Sequence, residues 1–213
     1  MNPLYRLYQE LLNLHGPQGW WPITSMAGKP GFDDRGYHNG DYSFPKTPQQ
    51  RFEVILGAIL TQNTAWKNVE KALLNLKNTV LLSREKIENL PEKKLAQLIR
   101  PAGYFNQKAK KIKLFLKARP GPDREELLSV WGIGPETADS ILLYAFHKPI
   151  FVVDAYTKRV LLSRGLCKKD ASYDELQDLF NKSLPKDHRL FNEYHALLVE
   201  HAKSGKIIKT GNR

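Results

Sequence analysis

A single cysteine, Cys167, is all the thiol chemistry the 213 residues contain. That excludes an internal disulfide and any iron-sulfur or zinc site built from several thiolates, and it leaves Cys167 a packing role. Long apolar runs are missing as well, since no stretch reaches the ~20 residues that cross a bilayer. The opening "MNPLYRLYQELLNLHG" has neither the basic start nor the apolar run of a secretory signal. The expectation is a soluble cytoplasmic chain with no membrane partner. Runs of alternating polarity are scarce, which argues against strands. Acidic residues are in deficit: 22 Asp and Glu face 33 Lys and Arg, a formal charge of +11 spread along the whole chain. Such a surface suits a polyanion; the alternative is a protein that is basic without one.

What is present is helical spacing. Leu4, Leu7, Tyr8, Leu11 and Leu12 form one apolar stripe, and Phe52, Ile55, Leu56, Ile59 and Leu60 form another. Asp123 with Glu126 and Ser172 with Glu175 have the spacing of reciprocal helix caps. Pro91 and Pro135 suit first-turn positions, and Gly165 suits a helix end. The expected fold is all-α with short loops. One irregular stretch, "GPQGWWPITSMAGKPGFDDRGYHNGDYSFPKTP", links a first helix to the central ones.

The segment "LLSVWGIGPETADSILLYAF" reads helix, tight turn, helix. Gly132 and Gly134, flanking Ile133, permit a sharp turn and close approach of another chain, with helix amides aimed at an anion such as a phosphate. A purely structural turn is the other reading. Eighteen residues beyond Glu136, Asp154 follows the apolar run Ile150, Phe151, Val152, Val153. It can be an ordinary N-cap, or a fixed charge that stabilises a developing cation and orients a water, or both.

A glycine hairpin, a Pro-containing loop, an apolar run and an aspartate in this order resemble the helix-hairpin-helix, Gly/Pro-Asp pattern of the endonuclease III superfamily of DNA base-excision glycosylases. "ILGAILTQNTAWKNVEKAL", "RPAGYFNQKAKKI" and "NEYHALLVEHAK" extend the likeness over roughly residues 48–204. The resemblance implies a two-lobed fold. A six-helix barrel would span about 47–148, with the hairpin motif at about 127–146. A second helical domain would come from 1–46 and 149–213, damaged double-stranded DNA would lie in the cleft between the two, and the protein would act as a nucleoid-associated monomer.

In relatives that also cut the backbone, a lysine occupies the position of Glu136 and forms a Schiff base with the sugar, which a carboxylate cannot do. The resemblance therefore implies a monofunctional glycosylase in which Asp154 is catalytic. Lys148 and Lys158 are nearby lysines that could substitute. A C-terminal four-cysteine iron-sulfur loop is common in relatives and has no counterpart here; the C-terminal basic residues would supply the DNA-facing charge instead. A glutamate of adenine-excising relatives is replaced by Ala58.

Within the superfamily, "LTQNT", "GWWP" and Gly-Ile-Gly-x-Glu look most like the 3-methyladenine glycosylases that lack the cluster. By that likeness Trp20, Trp21, Phe52 and Lys203 line the base pocket, Asn63 with Gln62 beside it and Tyr104 fill the hole left by an extruded base, and Lys108 and Arg159 meet phosphates. Core packing is the competing reading for the aromatics, and solvated charge for the basic residues. A structural monovalent cation at the hairpin backbone near Gly132 and Gly134 is also implied, and no other cofactor. An N-alkylated purine carries positive charge, so an aromatic face favours it by about 0.5–2 kcal/mol. Two other activities stay open at this point: a glycosylase with lyase activity or for another lesion, such as uracil, hypoxanthine or an oxidised base, and a non-catalytic DNA-binding module.

Overall fold

The computed structural model describes residues 2–205. Among them the chain is all helical, with no strand. Eleven α-helices occur in the described residues: α1 Pro3–His15, α2 Pro48–Leu60, α3 Trp66–Val80, α4 Arg84–Asn89, α5 Glu92–Leu98, α6 Phe105–Ala118, α7 Arg124–Ser129, α8 Pro135–Ser140, α9 Ala155–Ser163, α10 Tyr173–Ser183 and α11 His188–Lys203. A π-helical turn, Ile141–Ala145, prolongs α8. Both apolar stripes lie in the core: Leu4, Leu7 and Leu11 are buried on α1, and every residue of the second stripe is buried on α2.

Local chemistry sets the boundaries. Ser172 and Glu175 form a complete reciprocal cap on α10. Asp123 caps α7 by accepting from the amides of Glu125 and Glu126, but the Glu126 carboxylate turns to the Gly121 amide at 2.6 Å instead of reaching back. Pro135 opens α8, whereas Pro91 sits one residue before α5 as its cap. Gly165 takes a left-handed φ of 65° directly after α9.

The packing falls into two groups. α1 lies on α10 and α11, and α11 on α9; the central helices pack through α2 with α3 and α6, α5 with α6, and α7 with α8. The π-helical turn touches both α2 and α11, joining the groups. A polar knot adds a second junction. Asp139 on α8 is fully buried and accepts from Arg124 at 2.8 and 3.2 Å, from the Tyr173 hydroxyl at 2.7 Å and from Gln177 at 2.8 Å. Gln177 also donates to the Phe151 carbonyl at 2.7 Å, fixing the strap that leads to Asp154.

Candidate active site

The strap 150–153, buried from Phe151 onward, packs under α11 and delivers Asp154 as the N-cap of α9. One carboxylate oxygen, Oδ1, accepts from the Thr157 amide at 2.7 Å. The other, Oδ2, lies 3.5 Å from Nε2 of His195 on α11. That spacing is an ion-pair distance rather than a formed hydrogen bond, and Nε2 is buried without a hydrogen-bond partner. On its far side His195 meets the Tyr144 hydroxyl, 2.6 Å from Nδ1. Tyr144 is fully buried, and burial pushes its pKa well up. Burial alone would raise the Asp154 pKa; His195 and the Thr157 amide outweigh it and hold the carboxyl below its ordinary value.

Asp154 and His195 line a cavity of about 220 Å³ with Trp20, Trp21, Trp66, Tyr156, Glu136 and Lys203. Pockets for drug-sized ligands run roughly 300–1,000 Å³, so this one suits a single small planar group. The tryptophans are fixed by their backbone. Asn192 donates to the Trp20 carbonyl at 2.9 Å, and His38 Nε2 lies 2.9 Å from the Trp21 carbonyl. Trp20 stands edge-on to His195, and Trp21 edge-on to Trp66. Gly57 on α2 makes room for them: a Cβ there would come within 2.9 Å of the Trp21 indole nitrogen.

Glu136 is exposed at the rim, and burial of its carboxyl by the pocket wall, followed by the Asp154 charge, raises its pKa, with His195 acting against. Lys203 reaches the pocket from the last turn of α11, with its ammonium 5.2 Å over the Tyr156 ring. Burial lowers its pKa, while Asp154 opposes. Arg159 is exposed on α9, with its guanidinium 5.3 Å from the centre of the same Tyr156 ring.

Glu136 also lines a second, open groove, with Gln62, Asn63, Tyr104, Lys108, Lys111 and Gly134. Asn63 and Tyr104 project from exposed positions with left-handed backbones, φ 52° and 44°. In the hairpin only Gly132 uses the freedom of glycine, at φ 85°. Gly134 is extended, with nothing within 4 Å of the place a Cβ would take, so its surface is open to close approach. Ile133 between them is buried and anchors the turn.

Several expectations change. Phe52 is not in the pocket. It is buried on a different side of α2, facing a groove with Leu81, Leu82 and Phe146, because α2 is buried all round and its stripe does not mark one face. Lys108 is not a surface cation: it is 2% exposed, with its ammonium bonded to three protein oxygens. Gln62 is turned onto the hairpin rather than outward. Of the alternative lysines, Lys158 donates to the Ala171 carbonyl at 2.6 Å, and Lys148 is exposed and absent from the pocket wall. Cys167 packs against the core, half-buried. Lys206, Lys209 and Arg213 of the basic tail lie outside the described residues. The Gly132 and Gly134 carbonyls already accept from Gln62 and from the Ala138 amide, so a cation there would share both. Among the described residues no group of three or more His, Cys, Asp or Glu could hold a metal ion, and no helix is long and apolar enough to cross a membrane.

The model of the HhH-GPD superfamily of base excision DNA repair proteins matches residues 56–186, more than half of the chain. This protein belongs to that family. It is 45% identical to a candidate DNA repair glycosylase of Methanocaldococcus jannaschii, over 94% of this chain and 87% of the relative. It is 30% identical to endonuclease III of Thermotoga maritima, over 79% and 81%. Among solved structures, H. pylori 3-methyladenine DNA glycosylase bound to 1,N6-ethenoadenine superposes with a TM-score of 0.72 at 29% identity, covering 94% of this chain and 97% of that one. A trapped covalent endonuclease III–DNA intermediate superposes with a TM-score of 0.65 at 25% identity, over 71% and 73%. The superfamily member is thus a DNA base excision repair glycosylase with a helix-hairpin-helix.

The residues that sequence reasoning missed are His195, Tyr144, Trp66 and Tyr156. His195 sits in a helix whose neighbours are nearly all buried, so it reads as core. The only available signal was two aromatic side chains flanking the hairpin and the aspartate in sequence, Tyr144 and Tyr156, each close to a residue already under suspicion.

Proposed function

We propose that this glycosylase is monofunctional and hydrolyses the N-glycosidic bond of a damaged, N-alkylated purine of the 3-methyladenine type, flipped out of duplex DNA into the Trp20–Trp21–Trp66 pocket. One observation carries the reading: the open edge of the Asp154 carboxylate faces an aromatic pocket whose hairpin position holds Glu136, not lysine. The likeness to a 3-methyladenine glycosylase over nearly the whole chain supports it.

The chemistry follows from the parts. A base stacked on indole faces is held by its π surface, and a cationic base is favoured over a neutral one. As the glycosidic bond breaks, positive charge grows on the sugar, and an ionised Asp154 stabilises it. His195 holds that carboxylate ionised, and its unused acceptor sites orient the attacking water. Alkylation has already weakened the bond, so no strong acid is required of Glu136. Extruding the base costs a few kcal/mol, met by groups entering the vacated stack; the exposed Asn63 and Tyr104 on the groove would serve as these groups. Arg159 and the open hairpin at Gly134 meet phosphates.

A second reading has one observation in its favour. Lys203 is the lysine that lines the pocket among the described residues, and burial lowers its pKa, which favours a nucleophilic amine. Incubation with a methylated duplex decides between the two. The proposed enzyme releases free alkylpurine, and strands break only after alkali. Breaks without alkali, with borohydride trapping of a covalent adduct, overturn monofunctional action. Release of no base from any lesion leaves only DNA binding.

A further inference from the structure

The wall of the pocket comes from the least regular part of the chain. Residues 16–47 join α1 to α2 with one short 3₁₀ turn, Thr24–Met26, and they supply Trp20, Trp21, Pro22 and Tyr37 to the pocket. A connection of that length without secondary structure of its own has few internal ties to fix its shape. Two backbone bonds bracket the tryptophans, from the His38 amide to the Gly19 carbonyl at 3.2 Å and from the Ile23 amide to the Gly36 carbonyl at 2.9 Å.

The helices grip the bracketed unit through carboxylates. Glu53 on α2 accepts from the Ser25 amide at 3.0 and 3.3 Å. Glu70 on α3 accepts from the Arg35 guanidinium at 2.8 Å and from the Trp66 indole nitrogen at 3.0 Å. Glu193 on α11 accepts from the Gln18 amide and from the Tyr42 hydroxyl, each at 2.8 Å, and these donors lie toward the two ends of the segment.

Glu193 is fully buried, and both of its donors are neutral. A buried carboxylate without a cation costs stability, whereas an apolar residue of similar volume does not, so holding the fold together does not account for it. Its place on α11 adds a second point. One residue before it, Asn192 donates to the Trp20 carbonyl at 2.9 Å; two residues after it, His195 stands beside Asp154. Asn192 and His195 are three residues apart and therefore neighbours on one helix face. The Trp20 ring meets His195 edge-on, with centroids 5.8 Å apart. A single turn of α11 thus touches both the aromatic wall and the reactive carboxylate's partner.

We infer that Glu193 is a positioning residue: it pins both legs of the 16–47 segment to α11 and so fixes the Trp20–Trp21 wall at a set distance from Asp154. The effect on base release rests on the glycosylase reading above; the pinning of the wall does not.

Glu193→Leu tests this, because leucine fills much of the same space without the acceptors. Its thermal midpoint should fall little. With 5-fluorotryptophan in place of the four tryptophans, the fluorine lines of Trp20 and Trp21 should shift and broaden, while that of Trp131, exposed on the hairpin, stays as it is. Single-turnover release of methylated purine per folded molecule should fall on the order of 10- to 100-fold, the upper figure being the scale of a misplacement of about 1 Å. The acid limb of its pH profile, which belongs to Asp154 and His195, should not move. Glu193→Gln keeps a carbonyl acceptor and can donate to the Tyr42 oxygen, so it should recover most of the loss. Tyr42→Phe removes one donor and decides the matter if Glu193→Leu does not fold: it should give a smaller loss with the same two fluorine lines moved, and should add nothing to Glu193→Leu where both can be made.

Tryptophan lines and rate per folded molecule both at wild type would overturn the inference. So would a displaced acid limb, which would make Glu193 act through His195 and not through the wall, or a Glu193→Gln variant as slow as Glu193→Leu. A wild-type protein that releases no alkylpurine contradicts the functional reading instead, and the fluorine lines then decide whether Glu193 sets the wall.

Discussion

Two carboxylates fifteen residues apart, Asp139 and Asp154, are enclosed in opposite ways. A carboxylate offers about four acceptor sites. Asp139 accepts four hydrogen bonds, two from Arg124 and one each from Tyr173 and Gln177, and none of its side chain is exposed. Asp154 accepts one, from the Thr157 amide; His195 stands off at 3.5 Å, and the residue lines the pocket. A charge withdrawn from water with most of its acceptor sites unused costs stability. The first carboxylate ties helices together. The second keeps acceptor sites unused beside the pocket, as the proposed function requires.

The comparison is broken most sharply by Asp154→Asn. Asparagine caps a helix about as well as aspartate, so the fold should hold, while turnover falls by about two to four orders of magnitude, the range of a positioned acid–base group. Base release under single-turnover conditions measures it. Asp139→Asn should do the reverse. Stranding Arg124 beside a neutral amide should cost about 3 kcal/mol, the lower end for a broken buried pair because Arg124 is one-third exposed. Denaturant melts give that figure, and activity per folded molecule should change little.

His195→Gln comes next. The loss should be about tenfold, on the order of the 1.4 kcal/mol that one unit of carboxylate pKa represents. Its signature is in the pH profile. Asp154 has a depressed pKa, so its stabilising charge is present above the unfolded value of about 3.9 and is lost as pH falls through the lower folded one. Without His195 that pKa rises, so the acid limb of base release should move to higher pH; an unmoved limb would separate His195 from Asp154. Glu136→Gln should do least, within about twofold in rate and about 0.5 kcal/mol in stability, since no step assigns Glu136 a proton or a bond.

The sequence displayed much of this arrangement because its signals are local. The turn at Gly132, the cap on α10 and the aspartate that opens α9 are each written in a few adjacent residues, and each appears where expected. What was hidden depends on residues far apart in the chain. Lys108 stands in a run of lysines, and nothing there shows that its acceptors are the Leu60 and Ala102 carbonyls. His195 reaches Tyr144 across 51 residues. Phe52 shares an apolar helix buried on every side, so spacing alone could not say which face meets the pocket. The role assigned to Glu136 was visible as a chemical prohibition, whereas its place on the rim between pocket and groove needed the fold.

The measurement closest to the central claim is single-turnover release of alkylated purine by Asp154→Asn and Asp139→Asn, each normalised to folded protein and paired with its thermal midpoint. The account predicts a crossed result: Asp154→Asn keeps the midpoint and loses at least about a hundredfold in rate, while Asp139→Asn loses the midpoint and keeps the rate. Parallel losses in both variants, or an Asp154→Asn rate close to wild type, would contradict it.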